Sequence, residues 1–337
     1  MITQIARADA RSLAYAKELI FKGEAVAFHT ETVYGLGADA GKDDAVRRIF
    51  SLKGRPADNP LIAHVHADFD ISPLIDREPP YAGKLRRAFL PGPLTMVYPS
   101  TGKVSPLVSC GLNTLAIRVP SSPTAQAFLR VVNLPVAAPS ANRSKHVSPV
   151  TAEHVYDDFA GEIPLILDGG ACAGGIESTV LDCTGEIPVI LRAGLVTREQ
   201  IASVAGECGV YVKKAGEKPK SPGMAYKHYA PRCKTAYYTE ESLGEAEACY
   251  LREQAAGGAP CFLCGSGLAE ALAARGFHAL DLGGTGEEMA QKLYLELRRA
   301  ERTATLLIAI EPKLRGGVMD GVMNRFTRAF GRNTDEA

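Results

Sequence analysis

The sequence predicts an α/β protein with two domains, because apolar segments of strand length alternate with segments of helical period along most of the chain. Its 337 residues are enough for two domains of ordinary size. Hydrophobic residues make up 46% of the chain and charged residues 23%, which is typical of a globular protein. Strands and helices follow one another too irregularly for a strict βαβ repeat. We therefore expect a twisted mixed sheet with flanking helices.

Helices are predicted where apolar residues recur every three to four positions. The first covers residues 10–22 and stops at Gly23, and others cover 43–53, 81–90, 122–132, 151–159 and 197–205. Strands are predicted in the apolar runs at 24–30, 60–65, 94–99, 114–120, 134–140, 164–170, 178–183 and 188–194. The last two are joined as a hairpin around Thr184-Gly185. The pair at 164–170 and 178–183 is also expected to be joined too tightly to run parallel.

The pattern changes after about residue 207. Residues 213–234 carry seven Lys or Arg against one Glu, together with three prolines, which is typical of a linker or a functional loop. A shorter alternation of strands and helices follows, from "PCFLCG" to "GGVMDGVMNRFTRAFG", and it resembles a small Rossmann-like unit. We expect a catalytic domain at 1–207, a linker or lid loop at 208–235 and a smaller α/β domain at 236–337.

Bulk properties narrow the possible functions. The formal net charge is zero, so a nucleic acid or nucleotide must be held by a local patch. No apolar run reaches the roughly 18 residues of a membrane span, and the first residues lack the apolar core of a signal peptide, so a cytoplasmic protein is expected. Cys261 and Cys264 form a C-x-x-C without a second ligand pair. Ordinary thiols are therefore favoured over a redox or metal site.

The stretch "TETVYGLGADAG" contains three glycines that suggest a dinucleotide loop. The spacing of Gly35, Gly37 and Gly41 is G-x-G-x-x-x-G, and no clear acidic residue ends the next strand to bind a ribose. We therefore expect these glycines to allow a tight turn with positive φ beside a pocket. Thr30 and Thr32 are interpreted as hydroxyls at a strand end.

The stretch "KGRPADNPLIAH" places cations after a predicted helix. Lys53 and Arg55 could simply complement the dipole at the helix C-terminus. Two prolines stiffen the stretch, however, so that Arg55 and Asn59 would be presented rigidly, and the planar guanidinium suits phosphate oxygens. His64, taken alone, would more often be a buried core histidine.

The stretch "APSANRSKHVSP" follows a predicted strand directly, where α/β sheets place their ligand loops. It supplies the hydroxyls of Ser140 and Ser148 and the amide of Asn142, which suit phosphate or ribose contacts. A solvated serine-rich loop is the alternative. Arg118 and Arg192 lie in apolar strands, where an arginine is costly unless it is paired. An anionic substrate or a buried carboxylate could serve as the partner.

These segments taken together resemble the threonylcarbamoyl-AMP synthase family, the YrdC-like proteins. "TETVYGLG", "KGRPADNPL", "PSAN" and "STVLD" are similar to its successive motifs, and "SPGMAYKHYAP" is similar to the linker motif of its long, two-domain form. The resemblance covers most of residues 8–235, although His29 stands where the family commonly has proline. It implies that L-threonine, bicarbonate and ATP give L-threonylcarbamoyladenylate and pyrophosphate, for threonylcarbamoyladenosine in tRNA.

The resemblance also implies roles for individual residues. L-Threonine would be bound by Thr32, His64, Arg118, Ala138 and Ser178. ATP would be bound by Arg55, Asn59, Thr114, Ser140, Asn142, Ser148, Arg192 and Tyr229, with Lys53 and Arg55 as catalytic cations. Mg²⁺ would be held mainly by the ATP phosphates and not by a protein site. The product would pass to the tRNA threonylcarbamoyl-transferase machinery, and tRNA binding is compatible but not required.

Two alternatives are compatible with parts of the sequence. A carbamoyltransferase of related fold would use carbamoyl phosphate, but its larger members carry acylphosphatase and zinc-finger modules that are absent from this sequence. An RNA-binding or ribosome-maturation factor would act through a basic surface. The 7% aromatic content, the lack of Trp and the zero net charge offer little support for that second alternative.

Overall fold

The computed structural model describes residues 1–56, 58–212 and 229–331. These residues form two compact units. The first contains the described residues up to 144 and from 148 to 212, and the second contains residues 145–147 and 229–331. Most of the segment predicted as a linker or lid, residues 213–228, lies outside the described residues. The predicted domain boundaries at 207 and 235 stay predictions.

The first unit is built on a large mixed sheet, which confirms the predicted fold class. Its strands are β1 (Gln4–Arg7), β2 (Val26–Phe28), β3 (Gly35–Asp39), β4 (Ile62–His64), β5 (Leu94–Pro99), β6 (Thr114–Arg118), β7 (Val136–Ala137), β8 (Leu165–Asp168), β9 (Thr179–Asp182), β10 (Val189–Arg192) and β11 (Gly209–Val210). Their order in the sheet is β1-β8-β2-β3-β7-β4-β6-β5-β9-β10-β11. The sheet contains both parallel pairs, such as β4 with β6, and antiparallel pairs, such as β5 with β6.

Helices flank this sheet close to their predicted positions. They are α1 (Ala10–Phe21), α2 (Asp43–Lys53), α3 (Pro80–Phe89), α4 (Pro123–Val132), α5 (Ala152–Phe159) and α6 (Arg198–Ala205). Local signals set their ends. The side chain of Ser122 accepts a hydrogen bond from the Ala125 amide at the start of α4. Gly54 ends α2 in the left-handed conformation, with φ at +59°.

Two of the three glycines of "TETVYGLGADAG" lie in a strand, the third lies in the turn that follows it, and the predicted positive φ is found at none of them. Gly35 and Gly37 belong to β3, and neither they nor Gly41 has a positive φ. A Cβ at Gly37 would lie 2.7 Å from a methyl group of Val136 and 2.9 Å from the ring of Phe28. Because these side chains pack directly on the strand, the position requires a residue without a side chain.

The prediction that segments 164–170 and 178–183 form a tightly joined pair is wrong. Strand β8 lies between β1 and β2, whereas β9 lies between β5 and β10. The connection over residues 169–178 is long enough to reach a different part of the sheet, which a tight turn cannot do. The hairpin of β9 and β10 is confirmed, since the two strands pair antiparallel.

The two faces of the central strands bury different residues, because side chains alternate along a strand. One face joins the main apolar core, which includes Leu85, Met96, Ile117, Leu181 and Ile201. The opposite face carries a smaller buried cluster made of Ile62, Val97, Ala116, Val180 and Leu191. The polar residues that continue this second face toward the strand ends therefore lie away from the main core.

The second unit contains a parallel sheet covered by helices, as the sequence predicts. Its elements are β12 (Lys234–Tyr238), α7 (Leu243–Ala255), β13 (Pro260–Cys264), α8 (Ser266–Ala274), β14 (Ala279–Asp281), α9 (Gly286–Thr303), β15 (Leu306–Ile310) and α10 (Met319–Ala329). The strand order is β12-β15-β13-β14. Cys261 and Cys264 are free, buried thiols, and burial raises the pKa of each to about 12. None of the helices described is long and apolar enough to cross a membrane.

The close packing on β3 generates a stability prediction. Gly37→Ala should lower the free energy of unfolding of the first unit by about 1–3 kcal/mol, because the new methyl group overlaps Val136 and Phe28. Denaturant unfolding followed by circular dichroism measures the change. Gly185→Ala is the matched control, since its Cβ would approach no atom closer than 3.7 Å. Equal losses in the two variants would contradict this account of Gly37.

Candidate functional site

A row of polar side chains lies across the ends of the central strands, on one side of the sheet. In the strand register, Arg118 lies opposite His64 of β4 and opposite Thr95 of β5. The Thr95 hydroxyl is 2.8 Å from the hydroxyl of Ser178, which directly precedes β9. The guanidinium of Arg192 donates to the carbonyl of Ser178 at 2.9 Å and to its hydroxyl at 3.3 Å. Hydrogen bonds thus link Thr95, Ser178 and Arg192, and the strand register places Arg118 and His64 next to them in the same row.

A carboxylate from the "TETVYG" stretch neutralises the arginine in this row. Nη2 of Arg118 is 2.6 Å from Oε1 of Glu31, and both side chains are largely buried. The other carboxylate oxygen of Glu31 accepts the amide N–H of Ser121 at 3.0 Å. A buried carboxylate is therefore one of the partners that satisfy Arg118, which was one of the two possibilities left by the sequence.

His64 is a buried neutral imidazole. Its Nδ1 is 3.1 Å from the carbonyl oxygen of Ile62, so this nitrogen carries the proton that it donates. Burial and, to a smaller extent, the nearby charge of Arg118 lower the pKa of His64 to about 3. The ring can therefore form hydrogen bonds at neutral pH without adding a positive charge to the site.

The two threonines of the "TETVYG" stretch form a directed pair of hydroxyls. Thr30 donates its hydroxyl proton to the carbonyl of Val33 at 2.6 Å, and its oxygen is 2.9 Å from the Thr32 hydroxyl. Because the Thr30 proton is used, Thr32 donates in this pair. The lone pairs of the Thr32 oxygen remain as acceptors for a hydrogen-bond donor on a ligand.

Lys53 fastens the "PSAN" loop to the end of helix α2. Its side chain is buried, and Nζ donates to the carbonyl oxygens of Ser140 and Asn142 at 2.6 Å each. The Ser140 hydroxyl in turn donates to the Asn142 side-chain oxygen at 2.5 Å. Lys53, Ser140 and Asn142 thus form one cluster, and the ammonium group of Lys53 holds loop carbonyls in place.

Arg55 and Asn59 close their own loop. Nη2 of Arg55 donates to the carbonyl oxygens of Asn59 and Pro60 at 2.9 and 3.2 Å. The side chain of Asn59 is 1% exposed, and its Oδ1 atom has no hydrogen-bond partner among the residues described. These contacts present a guanidinium on a short loop that its own carbonyls stiffen.

A second buried carboxylate connects the serine loop to the segment before β9. The hydroxyl of Ser148 donates to Oε1 of Glu177 at 2.6 Å, and both side chains are buried. Glu177 directly precedes Ser178 in the chain. Its bond to Ser148 therefore places Ser148, predicted to bind ATP, close to Ser178, predicted to bind threonine. Within the described ranges, no group of three His, Cys, Asp or Glu could hold a metal ion.

Comparisons with known proteins give the family. Residues 18–194 match a family named Sua5_yciO_yrdC and described as "Telomere recombination", and residues 196–331 match a family described as "Threonylcarbamoyl-AMP synthase, C-terminal domain". A threonylcarbamoyl-AMP synthase of Pyrococcus abyssi is 39% identical over 334 residues, which cover 96% of each chain. The chain belongs to the threonylcarbamoyl-AMP synthase family.

Other relatives agree with this family. A threonylcarbamoyl-AMP synthase of Bacillus subtilis is 49% identical over 224 residues, covering 65% of this chain and 64% of that protein. The crystal structure of P. abyssi Sua5 complexed with L-threonine superposes with a TM-score of 0.87 at 37% identity, covering 98% of this chain and 97% of that one. As a threonylcarbamoyl-AMP synthase, the protein is an enzyme that transfers an adenylyl group and serves threonylcarbamoyladenosine synthesis in tRNA.

The remaining predicted site residues of the synthase lie in different surroundings. Thr114 begins β6, opposite Pro99, so four residues of strand, about 13 Å, separate it from Arg118. Ala138 follows β7, and its amide donates to the Ile62 carbonyl at 2.9 Å. Tyr229 belongs to the second unit, where it is buried with φ at +68°. The roles predicted for these residues stay predictions.

Sequence reasoning missed three side chains of the synthase site. Glu31, Thr95 and Glu177 each bond to a residue that was predicted, over separations of 87, 83 and 29 positions. The sequence contains one usable signal, because two of them are carboxylates inside the motifs "TETVYG" and "GGIESTV". Thr95 lies in an apolar strand and offers no such signal.

The contacts of Lys53 generate a prediction about how much this residue stabilises the fold. Lys53→Met should remove two charge-assisted hydrogen bonds and lower the free energy of unfolding by about 2–3 kcal/mol. Thermal and denaturant unfolding measure this loss. Lys84→Met, which removes an exposed lysine of α3, should leave the stability of the synthase nearly unchanged. A Lys53 variant as stable as the Lys84 variant would contradict the fastening role.

Proposed function

We propose that the enzyme condenses L-threonine, bicarbonate and ATP into threonylcarbamoyl-AMP and pyrophosphate at the polar row of the first unit. The observation that carries the proposal is the row of Arg118, Thr95, Ser178 and Arg192 across adjacent strands, in which the last three are joined by hydrogen bonds. The ends of these strands thereby offer two guanidinium groups, which can bind the carboxylate of an amino acid and the phosphates of a nucleotide.

L-Threonine is proposed to lie at the His64 end of the row. Its carboxylate binds Arg118, while the hydroxyls of Thr32 and Ser178 and the backbone of Ala138 surround the rest of the molecule. The neutral ring of His64 supports this assignment, because it can form a hydrogen bond to the substrate without competing with Arg118 for the carboxylate. L-Threonine bound to P. abyssi Sua5 gives independent support for this substrate.

ATP is proposed to lie against the loops that carry Arg55 and Asn59, Ser140 and Asn142, and Ser148, with Arg192 and Thr114 as further contacts. These loops are rich in donors, and donors are what a phosphate chain requires. Lys53 supports the loop from behind through its carbonyl contacts. ATP enters as its magnesium complex, whose phosphates hold the ion.

The chemistry requires little from the protein beyond placement and charge stabilisation. The amine of threonine forms a carbamate with carbon from bicarbonate, and a carbamate oxygen then attacks the α-phosphate while pyrophosphate leaves. Negative charge grows on the phosphate oxygens, which Arg55 and Arg192 stabilise. The product is proposed to pass to the tRNA threonylcarbamoyl-transferase machinery in the cytoplasm.

Pyrophosphate release from ATP tests the reaction. It should require both L-threonine and bicarbonate, because adenylation needs the carbamate that the two form together. A coupled pyrophosphate assay with each component omitted in turn measures this. Pyrophosphate release that does not depend on threonine would contradict the proposal. Pyrophosphate release driven by carbamoyl phosphate would favour the carbamoyltransferase. A salt-sensitive RNA mobility shift without turnover would favour an RNA-binding protein.

The loop of Arg55 generates a second test. Arg55→Ala should lower kcat/KM for ATP on the order of 10²-fold, because a donor to the developing phosphate charge is lost. The midpoint of thermal unfolding should change little, since the hydrogen bonds from Arg55 to Asn59 and Pro60 lie within its own loop. Arg77→Ala is a matched control, as this exposed arginine also donates to a backbone carbonyl. A large stability loss in the Arg55 variant alone would favour a structural role.

A further inference from the structure

The buried carboxylate of Glu31 lies beside the proposed binding point of the substrate carboxylate and has no role in the proposed function. Its Oε1 is 2.6 Å from Nη2 of Arg118, and its Oε2 accepts the Ser121 amide at 3.0 Å. Its backbone carbonyl accepts the Gly174 amide at 2.7 Å. The side chain is 15% exposed. Contacts from two other segments therefore hold the carboxylate in one place.

A free amino acid presents two opposite charges to its binding site. One carboxylate oxygen and the ammonium nitrogen lie roughly 3 Å apart, because they share the same Cα. Arg118 matches the carboxylate, but the ammonium group also loses water on binding and needs an acceptor, ideally a charged one. The pair of Arg118 and Glu31 places a positive and a negative charge 2.6 Å apart, which matches the spacing of the zwitterion.

The other residues proposed to bind threonine supply no negative charge. His64 is neutral, Thr32 and Ser178 offer hydroxyls, and Ala138 offers its backbone. The acceptor lone pairs of Thr32 can share in binding the ammonium group, but they cannot neutralise it. Glu31 directly precedes Thr32 and supplies the missing charge.

We infer that Glu31 binds the α-ammonium group of L-threonine and accepts one of its protons, as the general base of carbamate formation. The inference rests on the proposed function, which places the substrate carboxylate at Arg118. One N–H bond breaks and its proton moves to an oxygen of Glu31. The freed lone pair forms the N–C bond to bicarbonate carbon, while the C–OH bond breaks. The departing hydroxide takes a second N–H proton and leaves as water.

The titratable side chains around Glu31 keep the same charge near and just above neutral pH, so a pH dependence in this range reports on the substrate amine. His29 and Cys172 both interact electrostatically with Glu31. Burial lowers the pKa of His29, so its ring is neutral, and burial raises the pKa of Cys172, so its sulfur stays a thiol. None of these groups therefore changes charge between about pH 7 and pH 9.

Glu177 is the neighbouring carboxylate against which the assignment is compared. It accepts the Ser148 hydroxyl at 2.6 Å, and so it lies toward the proposed ATP loops. No contact of its carboxylate with Arg118 is observed in the described part of the chain. Glu177→Gln is therefore a matched control, since it removes the same charge from the same site without removing the charge beside Arg118.

The test is the pH profile of Glu31→Gln. The amide keeps one oxygen, which can accept from the Ser121 amide or from Arg118, but its NH2 group replaces the second acceptor, and the side chain carries no charge and accepts no proton. At pH 7, kcat/KM for L-threonine should fall on the order of 10²-fold. It should then rise with pH in proportion to the free-amine fraction of threonine, while the profile of the unmodified enzyme levels off. KM for ATP should be unchanged, and Glu177→Gln should keep the unmodified pH profile.

Binding measurements separate the inference from the proposed function. By calorimetry, the unmodified enzyme should bind L-threonine more tightly than 2,3-dihydroxybutyrate, which has a hydroxyl in place of the ammonium group, and Glu31→Gln should lose that preference. The inference would be overturned if Glu31→Gln lowered the activity equally at every pH and kept the preference for L-threonine over 2,3-dihydroxybutyrate. Threonine binding and pyrophosphate release by the unmodified enzyme would still support the proposed function in that case. An unmodified enzyme that neither binds threonine nor releases pyrophosphate would overturn both.

Discussion

The register of the central strands is the constraint on which the candidate site depends. It places Arg118 between His64 on one neighbouring strand and Thr95 on the other. A slip of one residue in any of these strands would turn the polar side chains toward the main apolar core and the apolar side chains toward the site. The core residues Met96 and Ile117 alternate with Thr95 and Arg118 along the same strands. Core packing and the site geometry are therefore set by the same pairing.

Buried cations are satisfied by groups that arrive from distant loops. Lys53 donates to carbonyls of the "PSAN" loop, Arg192 donates to the carbonyl of Ser178, and Arg118 pairs with the carboxylate of Glu31. A buried charge without such partners would carry a desolvation cost of several kcal/mol. Each loop is thus held in place by the charge that it satisfies. Substrates would meet loops that are already ordered, which lowers the entropy lost on binding.

The long connection between β8 and β9 contributes more side chains to the candidate site than its sequence indicates. Residues 169–178 connect β8 to β9, two strands that lie far apart in the sheet. The segment ends at Glu177 and Ser178, beside Ser148, Thr95 and Arg192. Because a connection of this kind crosses the strand ends, it can deliver side chains to a site that several strands share.

The sequence by itself determined the elements whose signals are local. Helix α2 and strand β5 have the predicted bounds, because periodicity, an end glycine and an apolar run are properties of neighbouring residues. The sequence likewise marks Arg118 and Arg192 as cations in apolar strands and Ser178 as part of the motif "STVLD", and the substrate roles of these residues stay predictions. Only the tertiary structure decided that Gly37 lies in a strand, since the reason is its packing against Phe28 and Val136. Only the tertiary structure paired Glu31 with Arg118, because 87 positions separate them and the path of the loop after β2, not spacing in the chain, brings the carboxylate to the end of β6.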